Sequence, residues 1–231
     1  MEKESYIVHL PLEDGKTDSM IGIVVNFDER HKQFHCGLAF RNGNDFNILH
    51  LAHHNALECD NDCHNFQVFV IPNIPMELQI PFIHMCRSIK EDVEEGHNDI
   101  AYGLGYDEFA IYSDGKLNLA GNEIGLTCAT YVLTLFHSAG IDLVDIHNWP
   151  EREEDRKWFE RVKQLFGKLN IKIYLGMTKE HQTKVLNEKF GPRFRPEEVA
   201  VSSALYEGGP AETQLIWDHG ARLHQYMKAM F

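Results

Sequence analysis

The dipeptide Asn42-Gly43 is the feature of this sequence that most constrains the fold. Both residue types tolerate a positive backbone φ, which the two central residues of a type I′ turn require. The dipeptide stands between two runs with the composition of β-strands, residues 34–40 and 46–51. The sequence therefore predicts an antiparallel hairpin closed by a turn with Asn42 and Gly43 at its centre.

Each strand of this hairpin carries a histidine. With a two-residue turn at that dipeptide, His35 lies directly opposite His50, and paired Cβ atoms are about 5 Å apart. A loop longer by one residue would place His50 beside Cys36 instead. Facing imidazoles can orient one another, as in a catalytic centre. Two strand histidines without a catalytic role are the alternative.

Strand patterns fill the first part of the chain and helical patterns the second. This order predicts an α+β fold rather than a doubly wound parallel sheet. We expect further strands near 21–26, 66–71, 109–112 and 171–175, and helices over 81–96, 127–140, 178–190, 211–230 and from 151 onward.

The composition and net charge of the chain argue against several classes of function. The 231 residues carry a net charge of -13, which argues against binding to nucleic acid or to an anionic membrane. Neither a secretory leader nor an apolar run of about 20 residues is visible, so stable membrane insertion is not expected. The five cysteines are not spaced as a disulfide framework. We therefore expect a cytoplasmic protein.

Cys128 is the candidate nucleophile. Gly125 and Thr127 precede it and helical apolar spacing follows, which predicts that it lies at a helix N-terminus. The helix dipole and the free amides there stabilise a thiolate. The alternative is a buried cysteine that acts as a small hydrophobe.

The two histidine strands and the cysteine segment resemble the NlpC/P60 papain-like superfamily. The run His35-Cys36-Gly37-Leu38-Ala39-Phe40, Asn42-Gly43 and Ile48-Leu49-His50-Leu51-Ala52 is similar to its His-Val-Gly-Ile-Tyr, Asn-Gly and Ile-His-Ala stretch. The segment Thr127-Cys128-Ala129-Thr130-Tyr131-Val132 resembles its nucleophile motif. The cysteine follows the histidines here, as in the circularly permuted branch that includes lecithin:retinol acyltransferase-like and YiiX-like proteins.

This resemblance implies a papain-like antiparallel sheet packed on a nucleophile helix. Residues 1–150 would be the permuted catalytic core, and residues 151–231 a helical C-terminal extension packed on it as one compact unit. Cys128 would be the nucleophile, His35 the general base and acid, and His50 the residue that orients His35. The reaction would be acyl transfer through a thioester, with no cofactor and no metal.

A zinc site is the main competing interpretation of the histidine region. Residues with zinc-binding side chains crowd residues 50–64: His50, His53, His54, Cys59, Cys63 and His64. A Cys-x₃-Cys-His sequence without a second matching pair is, however, more typical of a solvated polar loop. The acidic segment 151–155 is interpreted in the same way, as a solvated helix start.

Three functions remain open. The first is an amidase or peptidase acting on peptide or isopeptide bonds. The second is a lipid acyltransferase or thioesterase, which the acidic charge and the lack of an anchor disfavour. The third is a catalytically silent binding or immunity module. The apolar stripe of the last helix is expected to pack on the body, with docking of a protein partner as the alternative.

Overall fold

The computed structural model describes residues 5–10, 20–29, 32–42, 45–97, 99–106, 110–113, 116–118, 125–168 and 176–230. These residues form an α+β fold with a six-stranded antiparallel sheet and six helices, which confirms the predicted fold class. The strand expected at residues 171–175 lies outside the described residues.

The central sheet is antiparallel throughout, with the strand order β1-β6-β2-β3-β4-β5. Its strands are β1 (Ile7–His9), β2 (Ile21–Asp28), β3 (Gln33–Asn42), β4 (Asp45–His53), β5 (Ala56–Asp60) and β6 (Val68–Val70). A separate ribbon contains β7 (Ile111–Ser113) and β8 (Lys116–Asn118). The sequence pattern does not predict β5, because this stretch reads as a polar loop.

The β3–β4 hairpin forms as predicted, but in a different register. Asn42 pairs with Asp45, so the two residues between the strands are 43 and 44, which lie outside the described residues. The direct pairing of His35 with His50 is therefore wrong by two positions. Because side chains alternate with a period of two, this even shift keeps both histidines on one face, as diagonal neighbours.

The helices are α1 (Met76–Glu94), α2 (Cys128–Ser138), α3 (Glu153–Lys168), α4 (Lys179–Asn187), α5 (Pro196–Ala204) and α6 (Thr213–Lys228). The expected start of the first helix near Pro81 is wrong, since α1 begins at Met76 and contains that proline. Among the described residues, no helix combines the length and the apolar character needed to cross a membrane.

Helix α5 is missing from the sequence-based expectation and yet packs against the centre of the sheet. It contacts β2, β3, β6, α2 and α6, and its residues Pro196 to Ser203 are buried. The main core cluster includes Leu38 of β3, Val132 of α2, Val199 of α5 and Leu223 of α6. One apolar core therefore joins the sheet to helices from both parts of the chain.

The first strand and the last helix of the described chain touch each other. The Tyr6 hydroxyl lies 2.7 Å from Nδ1 of His219. The Tyr226 hydroxyl likewise contacts Nε2 of His9. These contacts bring β1 and α6 side by side.

Candidate active site

Strands β3 and β4 bring the two predicted histidines into contact. His35 Nε2 lies 3.0 Å from His50 Nδ1, and the rings meet edge to face. Gly37 makes this approach feasible: a Cβ there would lie 2.9 Å from the His50 Cβ, closer than such atoms are found. The diagonal pair therefore depends on a residue without a side chain between its members.

Strand β5 supplies a third polar group that the sequence analysis missed. Asp60 Oδ2 lies 3.1 Å from His50 Nε2, and a Glu58 carboxylate oxygen lies 3.7 Å from the same nitrogen. A carboxylate accepts hydrogen bonds and cannot donate them when ionised. His50 therefore donates its Nε2–H to Asp60. The signal that could have revealed Asp60 is the short alternating run at residues 56–60.

The nucleophile candidate Cys128 is the first residue of α2. Thr127 caps the helix: its hydroxyl accepts from the Thr130 amide at 3.1 Å, and the Thr130 hydroxyl accepts from the Thr127 amide at 2.8 Å. Helix geometry leaves the amides of Cys128 and Ala129 without an intrahelical acceptor. Two N–H groups beside the thiol are thus available to a developing negative charge.

The segment before Cys128 is fixed against a neighbouring loop. The Leu126 amide donates to the Ala101 carbonyl at 2.9 Å, and the Gly103 amide donates to the Leu126 carbonyl at 3.2 Å. Gly125 has a φ of 115°, and a Cβ there would lie 2.1 Å from the Ala101 carbonyl oxygen. A glycine is required at this position, and the start of α2 is held rigidly.

The thiol of Cys128 is hydrogen-bonded to His35 and Cys36 of β3. Hydrogen bonding from the Cys36 thiol lowers the pKa of Cys128 most, burial opposes this, and the charge of His35 lowers the pKa further. Burial and the nearby Cys128 thiolate raise the pKa of Cys36 well above its ordinary value. We assign the negative charge of this pair to Cys128, because His35 and the start of a helix both face it.

The two histidines take opposite roles in this arrangement. Burial acts to lower the pKa of His35, but the Cys128 thiolate outweighs it, so the His35 pKa is raised. Burial and the charge of His35 lower the pKa of His50 in spite of Asp60. His50 is therefore neutral, with its proton on Nε2, and its Nδ1 accepts from His35 Nε2–H. The second ring nitrogen of His35, Nδ1, is left for the thiol.

These groups open onto a cavity of about 540 Å³. His35, His50, Cys128 and Ala129 line it. Other lining residues come from α3, from the segment before α5 and from the start of α5. They include Trp158, Pro192, Arg193, Phe194, Arg195 and Glu197.

The side chains named in the competing zinc interpretation are not gathered into one group in the described part of the chain. Within the described residues, the group whose donor atoms lie close enough to share a cation is His50, Glu58 and Asp60. The Cys-x₃-Cys-His residues are absent from it. His54 is used structurally, since its Nδ1 accepts from the Tyr102 amide at 3.1 Å.

The solvated interpretation of the acidic segment is wrong at one position. Asp155 is 1% exposed, whereas Glu153 and Glu154 face solvent. Arg152 and Arg195 donate to the Asp155 carboxylate at 2.6 and 2.9 Å. Ion pairing compensates the loss of hydration and allows this carboxylate to be buried.

Comparison with known proteins gives no assignment: no protein-family model, no curated protein and no solved structure matches this chain.

Proposed function

We propose that the protein is a thiol-dependent hydrolase that cleaves an amide or peptide bond through a thioester on Cys128. One observation carries this proposal: a continuous polar chain runs from Asp60 through His50 and His35 to the Cys128 thiol and ends in a cavity. A nucleophile, a base and a residue that orients the base are the parts such a reaction needs.

In the acylation step, the Cys128 thiolate attacks the carbonyl carbon and forms the C–S bond. The carbonyl electron pair moves onto oxygen, where the amides of Cys128 and Ala129 donate to it. When the tetrahedral species collapses, the C–N bond breaks. The His35 imidazolium gives its Nδ1 proton to the departing nitrogen, and the thioester remains.

In the deacylation step, the neutral His35 takes a proton from water. The oxygen attacks the thioester carbon, and the C–S bond breaks to regenerate the Cys128 thiolate. Throughout, His50 accepts from His35 Nε2 and keeps Nδ1 turned towards the thiol, while Asp60 fixes the proton of His50 on Nε2.

The proposal includes a permuted papain-like arrangement for the fold. An antiparallel sheet carrying the base and a helix whose first residue is the nucleophile support it. The charged groups of the cavity favour an amide or peptide substrate over a lipid. Arg193, Arg195 and Glu197 line it beside the aromatic residues, whereas a groove for acyl chains would be apolar.

The proposal is tested by the pH dependence of Cys128 alkylation with iodoacetamide, followed by peptide mass mapping. In the wild type we expect Cys128 to react well below the ordinary thiol pKa of about 8.5, because its lowered pKa and the raised pKa of His35 hold a thiolate–imidazolium pair between them. In His35→Ala the titration should move up towards that ordinary value.

Cys59 is an internal control in the same digests. It is partly exposed, and burial raises its pKa to about 11, so it should react slowly at neutral pH in both proteins. An ordinary Cys128 titration that His35→Ala leaves unchanged would exclude the hydrolase and favour a binding module.

A further inference from the structure

We propose that Arg193 is a specificity-determining residue that binds a carboxylate of the substrate beside the reacting carbonyl. The proposal rests on the proposed hydrolase function, and it names the class of substrate: an acyl compound or peptide with an acidic group next to the scissile bond.

Arg193 and the nucleophile line the same cavity. Its guanidinium lies over the Trp158 ring, 3.7 Å from the centroid, and its side chain is 23% exposed. Tyr102, also in the lining, is within electrostatic range of both Cys128 and Arg193. A stacked, partly exposed guanidinium therefore lines the same cavity as the thiol, and stacking on Trp158 restricts its orientation.

Arg193 is the most weakly paired arginine of its cluster. The Asp155 carboxylate accepts from Arg152 at 2.6 Å and from Arg195 at 2.9 and 3.0 Å, but from Arg193 at 3.3 Å. The next carboxylate, Glu198, is taken by Arg152 at 2.5 and 3.0 Å. Arg195 has a further carboxylate, that of Glu154, at 3.8 Å. In the part of the chain that the structure describes, Arg193 contacts the Asp155 carboxylate alone, and at the longest distance of the three arginines.

The guanidinium of Arg193 has donors to spare. In the described part of the chain its side chain makes one hydrogen bond, through Nη1 to Asp155, and its remaining N–H groups have no protein acceptor. Burial and the charge of Arg195 together lower its pKa more than Asp155, Glu197 and Glu198 raise it, which indicates an incompletely neutralised cation. A planar fork of this kind matches a carboxylate with two parallel hydrogen bonds.

The neighbouring carboxylate does not fill this position. Glu197 lines the cavity, but its Oε1 lies 3.0 Å from Nδ1 of His224. The lining holds two further basic residues besides the histidines. Arg195 donates twice to Asp155, and Lys32 is 64% exposed and lies 3.8 Å from Glu29. A substrate carboxylate between Trp158 and the thiol would therefore meet Arg193 as its principal partner.

The test compares two small alkylating agents of nearly equal shape at Cys128: iodoacetate, which is anionic, and iodoacetamide, which is neutral. The ratio of their rate constants reports on attraction of a carboxylate, and the reactivity of the thiolate cancels. Substitution Arg193→Gln should lower this ratio about tenfold, the effect typical of one charge-assisted hydrogen bond. The His35 imidazolium attracts iodoacetate equally in both proteins.

Arg156→Gln is the matched control. Arg156 also stacks on an aromatic ring, 4.2 Å from the Phe190 centroid, but it is 48% exposed and does not line the cavity. This variant should leave the ratio unchanged.

A wild-type measurement covers the case in which Arg193→Gln fails to fold: succinate should slow alkylation by iodoacetamide, and succinamide should not.

The outcomes separate the two proposals. An equal ratio in the wild type and Arg193→Gln, or no protection by succinate, overturns the carboxylate site, while a low-pH Cys128 titration would still support the hydrolase. Conversely, an ordinary Cys128 titration with an Arg193-dependent ratio removes the hydrolase and retains the carboxylate site.

Discussion

Two polar networks contribute side chains to the lining of the cavity, and they are built differently. The relay (Asp60, His50, His35 and Cys128) is a chain in which each member contacts the next. The arginine cluster (Arg152, Asp155, Arg193, Arg195 and Glu198) is centred on one buried carboxylate with three guanidinium partners.

The chemical groups in each network determine what that network can do. Imidazole and thiol groups titrate near neutral pH, so a linear chain of them can place and move a proton. Guanidinium groups stay protonated, and carboxylates paired with them stay ionised, so the arginine cluster holds a fixed charge pattern. The relay is therefore suited to proton transfer during a reaction, and the arginine cluster to fixing the shape of the cavity and selecting its ligand.

The largest effect is expected on stability, when the carboxylate at the centre of the arginine cluster is replaced. Asp155→Asn keeps the shape but leaves three guanidinium groups around a neutral amide, so we expect the free energy of unfolding to fall by about 3–5 kcal/mol. Urea unfolding measures it. The control Asp142→Asn removes an exposed partner of His137 and should cost less than about 1 kcal/mol. Equal losses in both variants would show that the cluster is not a structural centre.

A smaller and different effect is expected in the relay. Asp60→Asn removes the charge that fixes the His50 tautomer, so the rate of Cys128 alkylation at neutral pH should fall about tenfold, or roughly 1.4 kcal/mol in activation free energy. The unfolding free energy should change little, because Asp60 is 28% exposed. In Glu58→Gln, whose carboxylate lies 3.7 Å from the same nitrogen, the rate should fall less than threefold. The relay order is refuted if the two variants behave alike.

The smallest effect concerns His54, a buried imidazole that is not a member of the relay. Burial, with smaller effects from His181 and His53, lowers its pKa to about 4. The unfolded chain therefore takes up a proton first, near pH 6.5, and the stability that neutral His54 contributes is lost as the pH falls towards 4.

Thermal unfolding at pH 7 and pH 4.5 tests this contribution. In His54→Asn the amide oxygen can still accept from Tyr102 but does not titrate, so the loss of Tm on acidification should be smaller than in the wild type. His64→Asn, at an exposed histidine, should leave that loss as it is. An identical loss in wild type and His54→Asn contradicts the assignment.

Sequence reasoning located most of the relay because its signals are local. A turn dipeptide and a two-residue alternation are enough to place His35 and His50 on one face, even though the register differs by two positions. The residue types that precede Cys128 are likewise typical of a helix start, so they predict its position at a helix N-terminus. Asp60 was not predicted, because the strand that carries it is short and its sequence is typical of a polar loop.

No comparable local sequence pattern predicts the arginine cluster. Its charges come from α3 and from the segment around α5, and their partners are set by tertiary contact rather than by spacing along the chain. Glu198 and Asp155 look solvated in the sequence and become buried only because arginines reach them. Helix α5 was not predicted for the same reason. Its two adjacent glutamates are typical of a solvent-exposed segment, whereas the helix is buried in the structure.

The contacts between β1 and α6 join two parts of the chain that are far apart in sequence. Tyr6 is hydrogen-bonded to His219, and Tyr226 contacts His9. Neither contact can form until the ribosome has synthesised α6, so β1 reaches its final environment only after the rest of the central sheet has been made.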